Sequence, residues 1–272
     1  MQPLALGLII PAADPIASLE RVQSLGFPTC QLSCAGGRFL TNHTDDELRA
    51  AMARTAVEVT TLFLGFDGES YADIPTVERT VGLIPEAQRA ARVQIALAMS
   101  DRAKAFGFPV LAAHIGFVPD DEDDPTFKAV VAAVQRICDR CNENGQQFAL
   151  ETGQEPALVL HDFIHIVNRE NLGVNFDPAN MILYGTGDPI EALHVVGHHV
   201  IGAHAKDGNW PTEPGTLGTE MPLGEGAVGM PRFIAKLKEV GYTGALTIER
   251  EIEGEAQTKD ILRGKALLEG LI

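Results

Sequence analysis

The stretch QQFALETGQEPALVLHDFIHIVNRENLGVNFDPAN, residues 146–180, decides the fold. It opens on a strand-length apolar run, QQFALE (146–151), passes through a helix-like segment, and returns to a second run, LGVNFD (172–177). Each run ends in a carboxylate, Glu151 and Asp177, and the 26-residue interval from one to the other makes one strand–helix repeat. The same unit extends in both directions. Upstream lie LALGLII (4–10), TCQLS (29–33), VEVTTLFLG (57–65) and PVLAAHIG (109–116); downstream lie VIGAHA (200–205) and ALTIE (245–249). Helix-like segments fill the seven intervals and one more follows the last run. Strands that alternate with helices predict βαβ units and a parallel sheet. Eight such units in about 250 residues predict an α/β chain folded as one (β/α)8 TIM barrel, a single domain over 1–272. An open doubly wound sheet is the runner-up. It would carry a glycine-rich phosphate loop after the first strand, where IIPAADP holds no GxGxxG.

The punctuation agrees. Asp14-Pro15 and Asp188-Pro189 each place an N-cap carboxylate before a proline suited to the first helical position. Gly26, Gly107, Gly145 and Gly241 fall where helices should stop. Residues 85–106 and 126–143 carry helical apolar stripes, and 255–271 reads as a closing helix. The segment 206–229 is rich in Gly and Pro and follows the seventh strand, on the face where barrel active sites sit. It is expected to be a long structureless loop with a functional role.

The chain has 37 acidic and 21 basic residues, a formal net charge of -16. Such a surface repels a phosphate backbone, so nucleic acid is not an expected partner. No run of about 18 apolar residues exists, which argues against a membrane span. The start, MQPLALGLIIPAADP, lacks a basic n-region and reads as a first strand, not a signal peptide. Four cysteines are too sparse for a disulfide framework, so the cytoplasm is the expected compartment.

The last four strands end in Glu151, Asp177, His204 and Glu249, at intervals of 26, 27 and 45 residues. The first two intervals equal one repeat, and the third is one repeat plus the long loop. In a barrel these positions converge on the C-terminal mouth. Three carboxylates and one imidazole form a hard, mostly oxygen site that suits Mn²⁺ or Mg²⁺, with Co²⁺ or Zn²⁺ as the softer choices. Three converging buried carboxylates repel one another severely, and one divalent cation per chain removes that repulsion.

The segments LETGQE, NFDPANM, HAKDG, PLGEGAV and TIERE together resemble the xylose isomerase-like TIM-barrel superfamily, in its sugar phosphate isomerase/epimerase branch. That branch includes ketose 3-epimerases, hydroxypyruvate isomerase and inosose dehydratase. The resemblance spans essentially the whole chain and is strongest over 146–254. It implies one divalent metal held by Glu151, Asp177, His204 and Glu249, and Glu151 with Glu249 as the acid/base pair. It further implies a small carbohydrate-like substrate (a sugar, sugar phosphate or polyol) whose C–H beside a metal-polarised carbonyl is deprotonated to an enediolate. Return of the proton gives epimerisation or isomerisation. Loss of a β-hydroxyl from the same intermediate would make the enzyme a lyase or dehydratase on a keto-sugar or keto-inositol. A more distant alternative is an endonuclease IV-like hydrolase, which needs a multi-zinc cluster with more histidines and a basic face. Barrels of this family often pair, so a homo-oligomer is a further expectation.

The chain departs from the ketose epimerases at Asn180, where those carry His, and at Trp210, where those carry Arg; both positions grip substrate there. Lys206 and Asp207 follow the metal His, and Lys206 is suited to a carbonyl, carboxylate or phosphate oxygen. His114, ending the fourth strand, is a candidate substrate contact. Glu155 caps the following helix or binds substrate. Phe66 and Trp210 are candidates for an apolar wall, Trp210 as a lid contact. Other patterns are discounted. His161 and His165, in HDFIH, have i, i+4 spacing but lack the zincin Glu and read as a surface or packing pair. His198 and His199 precede strand seven at the opposite mouth and receive no chemical role. Cys138-x-x-Cys141 lies inside a helix and reads as packing, and DDEDD (120–124) as a solvated loop.

Overall fold

The computed structural model describes residues 4–272 and contains the expected closed barrel. Seven parallel strands come first: β1 (Leu6–Pro11), β2 (Thr29–Cys34), β3 (Glu58–Leu64), β4 (Val110–Ala113), β5 (Gln147–Glu151), β6 (Leu172–Phe176) and β7 (Val200–Ala205). A short antiparallel hairpin, β8 (Asp207–Asn209) and β9 (Thr219–Met221), interrupts the series before β10 (Leu246–Ile248) completes the barrel. β10 pairs with β7 on one side and with β1 on the other, in the register Leu6↔Leu246, so the sheet has no free edge.

Helices cover the outside: α1 (Pro15–Ser24), α2 (Asp45–Thr55), α3 (Ile74–Thr80), α4 (Glu86–Phe106), α5 (Pro125–Glu143), α6 (Ala157–Val167), α7 (Pro178–Tyr184), α8 (Pro189–Val196), α9 (Met230–Glu239) and α10 (Gly254–Glu269). Their ends follow from local chemistry. Asp14 accepts a bond from the Ala17 amide at the start of α1, and Asp188 from those of Ile190 and Glu191 at the start of α8; each is followed by proline at the first helical position. Thr44 and Glu47 form a reciprocal capping box on α2. Gly107 closes α4 in the left-handed region, at φ 76°, which favours glycine.

The large core lies between the barrel's outer face and the helices. Leu8, Leu32, Leu62 and Phe148 of the strands meet Leu19, Leu48, Ile137 and Phe163 of the helices there. Cys138 and Cys141 are free and fully buried on α5, as packing residues. A separate small cluster of Phe63, Val110, Ala112 and Ala149, with Ile9 and Ile201, fills the barrel interior. Around it the interior is polar, with Thr29, Gln31, Asn175 and Thr247 all buried. No helix among the described residues is long and apolar enough to cross a membrane.

Two features differ from the sequence reading. Segment 206–229 is not structureless, because it contains the β8–β9 hairpin. Asp207 is buried at its root, where its carboxylate accepts bonds from the Gly208, Gly224 and Val228 amides and ties the start of β8 to the chain that follows β9. The third and sixth connections each hold two helices instead of one, with α3 and α7 as the additions.

Candidate metal centre

The four strand-end residues converge. One ligand-competent atom from each of Glu151, Asp177, His204 and Glu249 lies within 4.8 Å of all the others. His204 Nδ1 is 3.1 Å from Glu151 Oε1, 3.2 Å from Glu249 Oε2 and 3.4 Å from Asp177 Oδ2. Each side chain reaches this point for a local reason. Glu151 is the last residue of β5, and Asp177 and Glu249 directly follow β6 and β10. His204 is the fifth residue of β7.

Asp177 is also the N-cap of α7. Its Oδ1 accepts bonds from the Ala179 and Asn180 amides at 2.7 and 3.0 Å, with Pro178 at the first helical position, so Oδ2 is left to face the cluster. Thr152 locks the backbone at the same point. Its hydroxyl accepts from the Asp177 amide at 2.8 Å and donates to the Asp177 carbonyl at 2.9 Å. The Asp-Pro pair in NFDPAN thus starts a helix with one carboxylate oxygen and presents the other.

His204 is oriented from the side away from the carboxylates. Its Nε2 donates to Gln31 Oε1 at 2.9 Å, and Gln31 in turn donates to Asn175 Oδ1 at 3.0 Å. Asn175 donates to Glu151 Oε2. The chain Gln31–Asn175–Glu151 fixes the imidazole tautomer and steadies one carboxylate, the arrangement that commonly supports metal ligands. Gly202 makes room for it: a Cβ there would stand 2.2 Å from Asn175 Oδ1. Neither Gln31 nor Asn175 was singled out from the sequence. The available signal was a polar side chain in the middle of an otherwise apolar strand, at 31 in TCQLS and at 175 in LGVNFD.

The electrostatics reflect crowded acid. Burial, only partly offset by His204, pushes Glu151 up to about 7. Burial also acts on Glu249, but Lys206 and His204 beside it hold its carboxyl well below the usual range. Burial alone would lower His204; Glu151 and Glu249 overcome it and raise the imidazole well above its ordinary value. A proton on His204 does here what a cation would do at the same point.

A cavity of about 520 Å³ opens over the cluster, a size suited to a small ligand. Glu151 and Glu249 line it; Glu151 is as deeply buried as Asp177 and His204, and of the four only Glu249 is partly open. Phe66, His114 and Asn180 also line it, as does Tyr184. His114 bonds through Nδ1 to Gln154 Oε1 at 3.3 Å, and burial pushes its imidazole down to about 4, so it faces the cavity neutral. Phe66 is held from behind by the Arg92 guanidinium, 5.4 Å from its ring centroid. Lys206, expected as a substrate contact, is fully buried and is not among the residues that line the cavity. It donates to Asn180 Oδ1 at 3.2 Å, Glu249 Oε2 at 3.2 Å and Glu251 Oε1 at 3.0 Å.

Two further candidates also lie off the lining. Trp210 is 43% exposed and does not line the cavity, which the hairpin reaches instead through Leu217, Gly218 and Glu220. Glu155 precedes Pro156, the residue at the cap position of α6, and its side chain bonds none of that helix's first amides. It is buried away from the cavity lining with Oε2 unpartnered, and burial pushes it up to about 8. Glu251 and Glu69, by contrast, are cavity-lining residues that the sequence reading missed. Glu69 holds the rim by accepting bonds from the Phe66 and Gly82 amides at 2.8 and 2.7 Å.

Comparison with known proteins agrees with this architecture. A xylose isomerase domain protein from Planctomyces limnophilus is 42% identical, covering 99% of this chain and 98% of its own, with a TM-score of 0.92. Two more distant structures share the fold. A xylose isomerase-like TIM barrel protein from Mycobacterium smegmatis, in complex with magnesium, is 18% identical, with a TM-score of 0.72 and coverage of 100% and 98%. D-Psicose 3-epimerase with D-tagatose, from Clostridium cellulolyticum H10, is 14% identical, with a TM-score of 0.73 and coverage of 98% and 99%. The family model described as xylose isomerase-like TIM barrel matches residues 19–269, and the chain belongs to that family.

Proposed function

We propose that the chain is a divalent-metal-dependent isomerase or epimerase that moves a proton beside the carbonyl of a small sugar, sugar phosphate or polyol-derived ketone. The observation that carries this reading is the convergence of Glu151, Asp177, His204 and Glu249 at the cavity floor, with ligand atoms within 4.8 Å of one another and with Glu151 and Glu249 lining the cavity, Glu249 the more open of the two. Two carboxylates that can hold a cation and still reach a ligand are what a two-glutamate proton transfer requires.

The donor set fits the ion. Three carboxylates and one imidazole, gathered within 4.8 Å with His204 Nδ1 turned toward the oxygens, suit a hard divalent cation such as Mn²⁺ or Mg²⁺, with Co²⁺ or Zn²⁺ also accommodated. When bound, such an ion polarises a substrate carbonyl and acidifies the adjacent C–H. Glu151 and Glu249 approach from β5 and β10, two strands that are not neighbours in the barrel. One takes the proton from carbon and the other delivers a proton to the resulting enediolate. Delivery to the opposite face inverts the centre, and delivery to the neighbouring carbon moves the carbonyl. Lys206 steadies the Glu249 carboxylate through its bond to Oε2, and Asn180 and His114 offer neutral polar groups to substrate oxygens.

The test is incubation of the Mn²⁺-supplied chain in D₂O with a panel of ketoses and aldoses, followed by NMR. Solvent deuterium is expected at the carbon beside the carbonyl, together with a new epimer or isomer. Glu249→Gln is expected to keep the fold and most of the metal and to lose the exchange. Normal turnover in that variant overturns the two-glutamate mechanism. Loss of water from a substrate in place of isomerisation moves the assignment to a dehydratase using the same residues.

A further inference from the structure

The cavity over the metal centre is larger than one reacting sugar requires. It measures about 520 Å³. A six-carbon sugar has a dozen non-hydrogen atoms, and even at the roughly 30 Å³ that one water molecule takes up in the liquid they fill no more than about 360 Å³. The lining also changes character with depth. On the floor, Glu151 and Asn180 are buried and Glu249 is only partly open. Nearer to solvent stand four large apolar side chains: Tyr71 is exposed, and Leu183, Tyr184 and Leu217 are half-buried.

These four come from three separate segments, the loop after β3, the end of α7 and the β8–β9 hairpin, and each is braced in place. The Tyr71 ring lies 5.7 Å from the His114 ring, tilted by 55°. Tyr184 meets Phe117 edge to face at 5.8 Å. The Gly218 amide donates to the Leu183 carbonyl at 2.8 Å, which holds Leu217 beside Leu183. That close approach depends on glycine, because a Cβ at 218 would stand 2.1 Å from the Asn209 carbonyl oxygen and 3.1 Å from the Leu183 Cα. An apolar wall that is already ordered and still wet gains when a ligand covers it, and little ordering cost is set against the gain. The charge of the lining restricts what that ligand can carry. Outside the metal cluster Asp67, Glu69, Glu220 and Glu251 are opposed by Arg38 as the one cationic side chain among the described lining residues, so a neutral group fits there better than an anionic one.

We propose that the cavity holds an uncharged two-ring substrate of the glycoside type, with the reacting sugar on the metal floor and a second ring, joined to it, against Tyr71, Leu183, Tyr184 and Leu217. The assignment of the floor rests on the proton-transfer reading above. The outer subsite rests on the volume and on the apolar wall. Aromatic side chains of this kind pack against the flat apolar face of a sugar or an aromatic ring and leave the ring's polar edge in water.

The test is calorimetric titration of the full chain, loaded with Mg²⁺, with the methyl glycosides, phenyl glycosides and disaccharides of glucose, galactose and xylose. At least one two-ring probe is expected to bind about tenfold or more tightly than the methyl glycoside of the same sugar, the gain from burying one further ring. A phenyl glycoside as the tightest probe makes the second ring aromatic; a disaccharide makes it a sugar. Tyr71→Ala and Leu217→Ala are each expected to reduce that preference several-fold, with the circular dichroism spectrum unchanged. Equal affinity for one-ring and two-ring probes overturns the subsite, as does no binding of any two-ring probe or a preference that both variants keep in full. Tight two-ring binding without solvent deuterium exchange in any substrate would remove the proton-transfer reading and leave the subsite standing. Exchange in free ketoses with no preference for a second ring would do the reverse.

Discussion

Glu155 shows how one buried carboxyl couples the barrel to pH. It is 4% exposed, one of its oxygens lacks a partner, and burial raises it from 4.5 to about 8. A carboxyl whose pKa is higher in the folded chain contributes stability that is complete below its unfolded value and is lost as pH rises through the folded value. Wild type is therefore expected to lose stability relative to Glu155→Gln between about pH 5 and pH 8, since glutamine stays neutral throughout. Thermal melts of the two proteins across that range check this. Parallel curves would mean that the carboxyl is ionised and compensated in the folded chain. The residue was legible in LETGQE as a polar group near the mouth, but its burial was not. Burial is set by tertiary packing, which no local pattern encodes.

Elements were read where their signals are local. The four candidate ligands stood out because each lies at or beside a strand end, and the repeat length keeps that phase from β5 to β7. Asp177 doubles as the N-cap of α7, a second role that was not read from its Asp-Pro pair. The β8–β9 hairpin was not legible, because its three-residue arms pair across the nine residues 210–218 and not across a tight two-residue turn. The Asp207 carboxylate accepts amides from both ends of the segment, Gly208 on one side and Gly224 and Val228 on the other. Gln31 and Asn175 escaped for a similar reason: their partners lie on strands far apart in sequence. Asp207→Ala leaves three amides without their acceptor, at a cost of about 1–3 kcal/mol for each one left unsatisfied. The expected outcome is a hairpin that opens locally while the barrel stays folded, read as faster proteolytic cleavage within 211–218 at an almost unchanged melting temperature. Unchanged cleavage would show that contacts other than Asp207 hold the segment.

At the scale of the whole molecule, the barrel concentrates acid where it has least water to screen it. Glu151, Asp177 and Glu249 meet at the mouth, answered by His204 and Lys206, while the chain as a whole carries a net charge of -16. Folding therefore works against repulsion that a divalent ion at the mouth would relieve, and the ion's binding energy becomes stability of the whole fold. At a free concentration of 100 times the dissociation constant, a ligand bound only by the folded chain adds about 2.7 kcal/mol. A chain somewhat above the 150–250-residue range, in which each kcal/mol moves the melting temperature by about 2–4 °C, should then melt roughly 5–10 °C higher with saturating Mn²⁺ than after chelation. Mn²⁺ is the right probe because a mostly oxygen donor set suits it. Simple screening of the acidic surface would also raise stability, but it would act on any variant and would be reproduced by NaCl at matched ionic strength. His204→Ala separates the two effects: it removes one candidate ligand and leaves the surface charge untouched. A Mn²⁺ shift in wild type that vanishes in His204→Ala and is not mimicked by salt places the ion at the mouth; an equal shift in both proteins assigns it to the surface and removes the mouth as its source.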